Sequence, residues 1–270
     1  MLGTEAQSAG FRLHYQLYYQ PVVRVRHDGE LVPVVMEAFL RLHHPKHGLL
    51  AADASVAVAK QAGLLPILAG KAARQACADL LRWRRDGYDG RVSINIGSDE
   101  LTPELAEAVA LALRETGTSG DSLILEITPA RPLRITPEIL SAASALSRNR
   151  VLLLLDGIRT STAVLNSLTF IPFAGYKFSI AALIGGSRKT NSFPVLSELL
   201  ALTSESERSL VATHVETTAQ REFLVSHGCE LMQGHLFGPS APAEAVPALL
   251  RGLNTSPPTE EPLYRRELAL

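Results

Sequence analysis

Short apolar runs alternate along this chain with longer segments in which apolar residues recur every three to four positions. The runs have the length of strands and the longer segments have helical period, and their alternation marks repeated strand–helix units around a parallel sheet. Strands are predicted over residues 13–23, 32–40, 91–96, 122–127, 151–155, 175–178, 209–212 and 230–232. Helices are predicted over 51–61, 65–86, 102–116, 136–148, 160–168, 195–203, 217–227 and 241–252. Thr102 before Pro103 and Thr136 before Pro137 each place a capping hydroxyl ahead of a proline in the first turn. Eight strands are what a closed barrel needs, so the expected fold is α/β, a (β/α)8 TIM-like barrel.

Residues 11–252 carry this pattern and read as one domain, behind an N-terminal extension over 1–10. The segment 253–270, rich in Pro, Thr and Glu and without apolar period, reads as a mobile tail. With the first strand beginning near Phe11, no sensory, receiver or membrane module is expected ahead of it, and the domain is expected to stand alone. A hydrophobic content of 46% over 270 residues suffices for one sizeable core. The balance of 26 basic and 27 acidic residues gives no electrostatic reason to expect nucleic acid or an anionic membrane as partner. No apolar run approaches the ~18 residues of a spanning helix, and the first ten residues lack the layout of a signal peptide. Cys77 and Cys229 read as packing thiols, so a reducing, cytoplasmic setting is expected.

In a parallel barrel chemistry collects at the C-terminal ends of the strands. Glu37 ends the second predicted strand, Asn95 and Glu126 lie near the ends of RVSINI and LILEIT, and Asp156 follows VLLLL. Lys177 and Gln233 hold the same place in GYKFS and ELMQG. Three carboxylates and an amide oxygen form an all-oxygen ligand set suited to Mg²⁺ or Mn²⁺ rather than zinc. The structural alternative is a salt-bridged rim around Lys177. The run from His43 to His47, broken by Pro45, reads as a solvated rim turn rather than a metal site.

These residues sit in strings that resemble the motifs of the bacterial EAL family of cyclic di-GMP phosphodiesterases, over about residues 11–250. YQPVV resembles YQPI, MEAFLRLHHPKHGLL resembles EALLRWRHPxxGLL, and SINIGSDEL resembles SVNLSxxQL. LEIT, ATHVET and MQGHLF resemble the start of ELTE, AEGVET and QGYLF. The resemblance implies a barrel of EAL type with its first strand antiparallel, and two-metal hydrolysis of cyclic di-GMP to pGpG. It implies Glu37, Asn95, Glu126 and Asp156 as ligands of the first ion and Lys177, with Glu37, as catalytic. Gln20, Arg41, Asn95 and Gln233 are the implied nucleotide contacts.

The sequence departs from the family where the second ion would bind. LDGIRTS stands where the family has a DDFGTG loop, and ATHVE where it has AEG, placing Gly157 and Thr213 at carboxylate positions. Ser179 and Pro129 replace further acidic residues, and Glu216 keeps a bracing position whose loop partner has changed. His214 adjoins Thr213 with the opposite strand parity and is expected to face a loop. The base-pocket segment 52–60 lacks the family's aromatic and prolines, and Gly238-Pro239-Ser240-Ala241 stands where the family has SRPL. A lost stacking surface costs about 1–3 kcal/mol per base. The expectation is a degenerate, non-catalytic EAL domain acting as a cyclic di-GMP receptor or regulatory module in bacterial signalling. The alternatives are a weak metal-dependent phosphodiesterase using one ion plus Lys177, and a nucleotide-independent module that binds a regulatory protein partner. The rewritten loop leaves homodimerisation open.

Overall fold

In the computed structural model, residues 14–44, 46–129, 135–158, 170–184, 192–205 and 207–253 are described. The predicted helix over 160–168, the expected extension over 1–10 and the tail over 254–270 lie outside them. Among the described residues ten strands form the sheet: β1 (Tyr15–Val25), β2 (Leu31–His44), β3 (Gly48–Leu49), β4 (Arg91–Gly97), β5 (Leu123–Thr128), β6 (Leu152–Ile158), β7 (Phe173–Ser179), β8 (Ser209–Thr213), β9 (Leu231–Gln233) and β10 (Ala241–Pro242). Eight of them close a barrel in the order β1-β9-β8-β7-β6-β5-β4-β2, with β2 returning to β1. The two-residue strands β3 and β10 flank it. β2 and β4 through β9 run parallel, and β1 is antiparallel to both its barrel neighbours, β2 and β9. The chain therefore enters β1 at the end of the barrel where the other strands finish.

The helices on the outside are α1 (Ala52–Gln61), α2 (Leu65–Arg85), α3 (Pro103–Thr116), α4 (Pro137–Arg148), α5 (Ile180–Ile184), α6 (Ser192–Glu205), α7 (Thr218–Ser226) and α8 (Val246–Gly252). The predicted caps form: Thr102 accepts from Leu105 N and Thr136 from Ile139 N. The last helix starts later than its apolar pattern suggests. Ala241–Pro242 instead pairs with Tyr18 and Tyr19 of β1, and a 3₁₀ turn follows. Pro242 is extended, and the helix begins only where Pro247 can sit in its first turn.

Strands buried on both faces read as unbroken apolar runs, and β5 is buried from Leu123 through Ile127. Its two faces have different neighbours. Leu123, Leu125 and Ile127 join the large cluster beneath the helices, with Met36, Leu153, Tyr176 and Met232. Ile124 faces the barrel interior, where it packs with Val22, Val35, Leu154, Val211 and Leu231. Small side chains on α2, among them Ala72, Ala73 and Ala76, let that helix lie close to the barrel, and Trp83 donates its indole N–H to Ala243 O at 3.1 Å.

Candidate functional site

The interior cluster forms an apolar floor, and the candidate residues stand directly above it. Side chains two positions apart on a strand share a face. Val35, Ile124, Leu154, Val211 and Leu231 thus carry Glu37, Glu126, Asp156, Thr213 and Gln233 over them. On antiparallel β1 the same step runs backwards, from Val22 to Gln20. Asn95 and Lys177 fill the layer from β4 and β7. Predicted from separate strings in the sequence, these residues form one ring.

Its centre is a buried ionic network. Glu37, Glu126, Lys177 and Gln233 are exposed by 3, 1, 2 and 4%. Lys177 Nζ donates to Glu37 Oε2 at 2.5 Å and to Glu126 Oε2 at 2.7 Å. Asn95 Nδ2 donates to Glu37 Oε1 at 2.7 Å, and Gln233 Nε2 to Glu37 Oε2 at 2.7 Å. Burial pushes the Glu37 carboxyl up, but the Lys177 ammonium and three donated hydrogen bonds outweigh it and hold the pKa below the ordinary value. Glu126 is pushed well above the usual carboxylate range by burial and then by Glu37, against the pull of Lys177. Burial would lower the Lys177 pKa, but Glu126, Glu37 and Asp156 raise it, so the ammonium stays charged.

A cavity of about 820 Å³ opens above this network. Gln20, Glu37, Asn95, Asp156, Lys177 and Gln233 line its polar end. Glu126, bonded to Lys177, is not part of the wall. Arg41 is not on the wall either: it donates to Ser240 Oγ at 3.2 Å, lies 5.4 Å from the centre of the Tyr18 ring, and its Nε is buried without a partner among the described residues. Gln20 donates to Gly238 O at 2.9 Å. The rim turn after β2 is exposed at Lys46 and His47, as expected, while His44, the last residue of β2, is buried with its ring 4.7 Å from that of His47.

The donors present suit a hard cation in kind. As arranged, Lys177 provides the positive charge between Glu37 and Glu126. Among the described residues no group of three or more His, Cys, Asp or Glu side chains is gathered as a metal site. No helix among them is long and apolar enough to cross a membrane.

Sequence parity missed two parts of the cavity. His214, expected to face a loop, lines the wall. Its φ of +61° turns the chain out of β8, and a strand alternation carried past the strand's last residue no longer holds there. The second part is the far lobe, where Leu40, Val56, Leu65 and Leu68 meet Asp99 and Glu100. Glu100 folds back on its own turn, accepting from Gly97 N at 2.9 Å. The resemblance had implied 52–60 as a pocket segment, and Ala52, Asp53, Val56, Ala57 and Lys60 of it line the cavity, but Leu65 and Leu68 of α2 were not foreseen there.

A closed parallel barrel with a polar cavity at its C-terminal strand ends defines the class of barrel domains whose ligands bind at that face. Within this class the chain belongs to the EAL domain family, whose characteristic sequence pattern matches residues 5–240. It is 29% identical over 232 residues to the bifunctional diguanylate cyclase/cyclic di-GMP phosphodiesterase MucR of Pseudomonas aeruginosa, covering 85% of this chain and 33% of that protein. It is 28% identical over 247 residues to the cyclic di-GMP phosphodiesterase NbdA of the same organism, covering 90% of this chain and 31% of that one. The chain thus spans about a third of the length of these curated relatives. The phosphodiesterase PaMucR, solved as a c-di-GMP complex, matches with a TM-score of 0.76 at 27% identity, over 90% of this chain and 96% of that chain. The FimX EAL domain of Xanthomonas citri, solved with c-diGMP, shares the fold, with a TM-score of 0.73 at 19% identity over 84% of this chain and 88% of that one.

Proposed function

We propose that this domain is a degenerate EAL domain, a cyclic di-GMP receptor or regulatory module that does not turn the nucleotide over. The observation that carries the reading is Thr213. It ends β8 on the cavity wall with a neutral hydroxyl that donates to Phe178 O at 3.1 Å. With Gly157 after Asp156, the described residues of this stretch of wall offer no carboxylate beyond Asp156 itself. Two-metal hydrolysis of a phosphodiester clamps both the attacking and the leaving oxygen, and an ion deprived of anionic ligands is held weakly. Binding asks for less. Mg²⁺ or Mn²⁺ at Glu37, Asn95, Glu126 and Asp156 would offset phosphate charge, while Gln20 and Gln233 supply donors on the wall and Arg41 would have to leave Ser240 to join them.

The retained network of Glu37, Lys177 and Glu126 favours a second reading, a weak metal-dependent phosphodiesterase giving pGpG. Calorimetry of the purified chain with cyclic di-GMP and Mg²⁺ or Mn²⁺, with chromatography of the same samples, separates the two. Binding without pGpG is the expected result. Formation of pGpG at a rate abolished by Glu37→Ala would overturn it. Neither binding nor turnover would point to a protein-binding regulator that has abandoned the nucleotide.

A further inference from the structure

Beyond the ring of polar residues β2 runs on over the mouth of the barrel. Glu37, Phe39 and Arg41 alternate onto one face of the strand, and the first two line the cavity. Parity therefore aims Arg41 at the mouth, yet its guanidinium is held elsewhere. Nη2 donates to Ser240 Oγ at 3.2 Å, and Cζ lies 5.4 Å from the centre of the Tyr18 ring. Gln20, which does reach the wall, is tied to the same stretch of chain, its Nε2 donating to Gly238 O at 2.9 Å. Two of the donors that the functional reading gives to the nucleotide are thus bonded to one short segment.

That segment, residues 238–243, crosses the beginning of β1. Ala241 and Pro242 pair with Tyr19 and Tyr18, and Ala243 O accepts from the Trp83 indole at 3.1 Å. Gly238 starts it with a φ of +136°, a backbone that glycine tolerates best, and a Cβ there would lie 2.8 Å from Leu249 Cδ1 of α8. The segment is closely fitted, but Arg41 is poorly satisfied by it. A guanidinium carries five N–H donors in a planar fork. Here a neutral hydroxyl takes one of them, and Nε is buried without a partner among the described residues. A phosphodiester anion can accept from two guanidinium N–H groups at once, and a hydrogen bond between charged groups is about twice as strong as one between neutral groups.

We propose that residues 238–243 form an autoinhibitory strap on the cavity: Ser240 and Gly238 hold Arg41 and Gln20 back, and a phosphodiester anion in the cavity takes both and frees the strap. The proposal rests on reading the cavity as the cyclic di-GMP site. Ser240 then sets nucleotide affinity by positioning Arg41, without touching the nucleotide, and occupancy is passed to the turn at Ala243 and to α8 behind it.

The test uses the full chain, first without nucleotide. Hydrogen exchange over residues 238–243, followed by mass spectrometry, should be about fivefold faster in Ser240→Ala and in Arg41→Met, with no further gain in the double variant. Exchange equal to that of the unaltered chain in both single variants overturns the strap. Calorimetry with cyclic di-GMP follows. Ser240→Ala removes one oxygen from a half-buried side chain and is expected to fold; it should bind about tenfold more tightly, because the nucleotide no longer competes with a hydrogen bond to a charged group. In the unaltered chain, saturating nucleotide should quicken exchange over 238–243, the opposite of the protection given by a ligand that packs onto a closed segment. Equal or weaker binding by Ser240→Ala, or exchange slowed by nucleotide, overturns the strap and leaves the receptor reading intact. No binding by either chain, with the ligand-free exchange pattern as expected, sinks the receptor reading and leaves the latch between Arg41 and Ser240 standing.

Discussion

Lys177 is the residue on which the polar layer depends. Its ammonium is shared between two buried carboxyl groups, of which Glu126 has its pKa raised by burial first and then by Glu37. Removing one partner of a buried ion pair typically costs about 3–5 kcal/mol, because the remaining charge has neither water nor a counter-ion. Lys177→Met is therefore expected to lower the thermal unfolding midpoint sharply, and Glu126→Gln added to it should recover part of the loss; differential scanning calorimetry of both variants checks this. Glu100 makes a second prediction at this scale. Burial and then neighbouring Asp99 push its carboxyl up, only partly offset by the Gly97 N–H, and its Oε1 is buried without a partner among the described residues. The folded state keeps this proton after the unfolded chain has released it near pH ~4.3, so the group destabilises the fold increasingly as pH rises through its raised pKa. Glu100→Gln should match the unaltered protein near pH 4 in urea denaturation and exceed it in stability by pH 7. A constant offset across that range would contradict the assignment.

At the scale of elements, the turns after β8 and β9 do more for the cavity than their length suggests. Gly234 joins them, bringing Gln233 against Glu37 and holding Val215 beside it. Its φ of 163° is ordinary extended backbone, so the need for glycine here is one of space. Gly234→Ala should cost about 1–3 kcal/mol or more, as forced overpacking does, and should loosen the polar end along with the fold. Chemical denaturation measures the first effect and hydrogen exchange at Val215 and Leu236 the second. Elsewhere the elements follow local rules. Thr217 closes α7 with a reciprocal capping box to Gln220, just as Thr102 and Thr136 cap α3 and α4.

For the whole molecule, the barrel is a rigid frame in which eight strands each supply one side chain to a common layer. A ligand that binds only this folded arrangement must stabilise it. At a concentration of one hundred times Kd the gain is about 2.7 kcal/mol. For a protein of this size that corresponds to a rise in melting temperature of about 5–10 °C. Cyclic di-GMP at saturating concentration is expected to produce such a rise, and linear pGpG a smaller one; no shift at saturation would argue against the receptor reading.

Alternation of apolar runs with helical segments determined the barrel, because buried parallel strands and amphipathic helices each leave a periodicity that does not depend on distant partners. The ring of Glu37, Asn95, Glu126, Asp156, Lys177 and Gln233 was legible for the same reason: a polar residue ending an apolar strand has a known parity and a known end of the barrel. What the sequence left unspecified lies where position depends on contacts between elements. Whether Arg41 faces the cavity or Ser240, whether Glu126 reaches the wall, and the lobe between α1, α2 and the mouth follow from how strands stagger and helices pack. His214 is the clearest instance. Its neighbours in sequence give it the wrong face, and only the left-handed turn at the end of β8, beside the contact between Val215 and Gln233, puts it on the cavity wall.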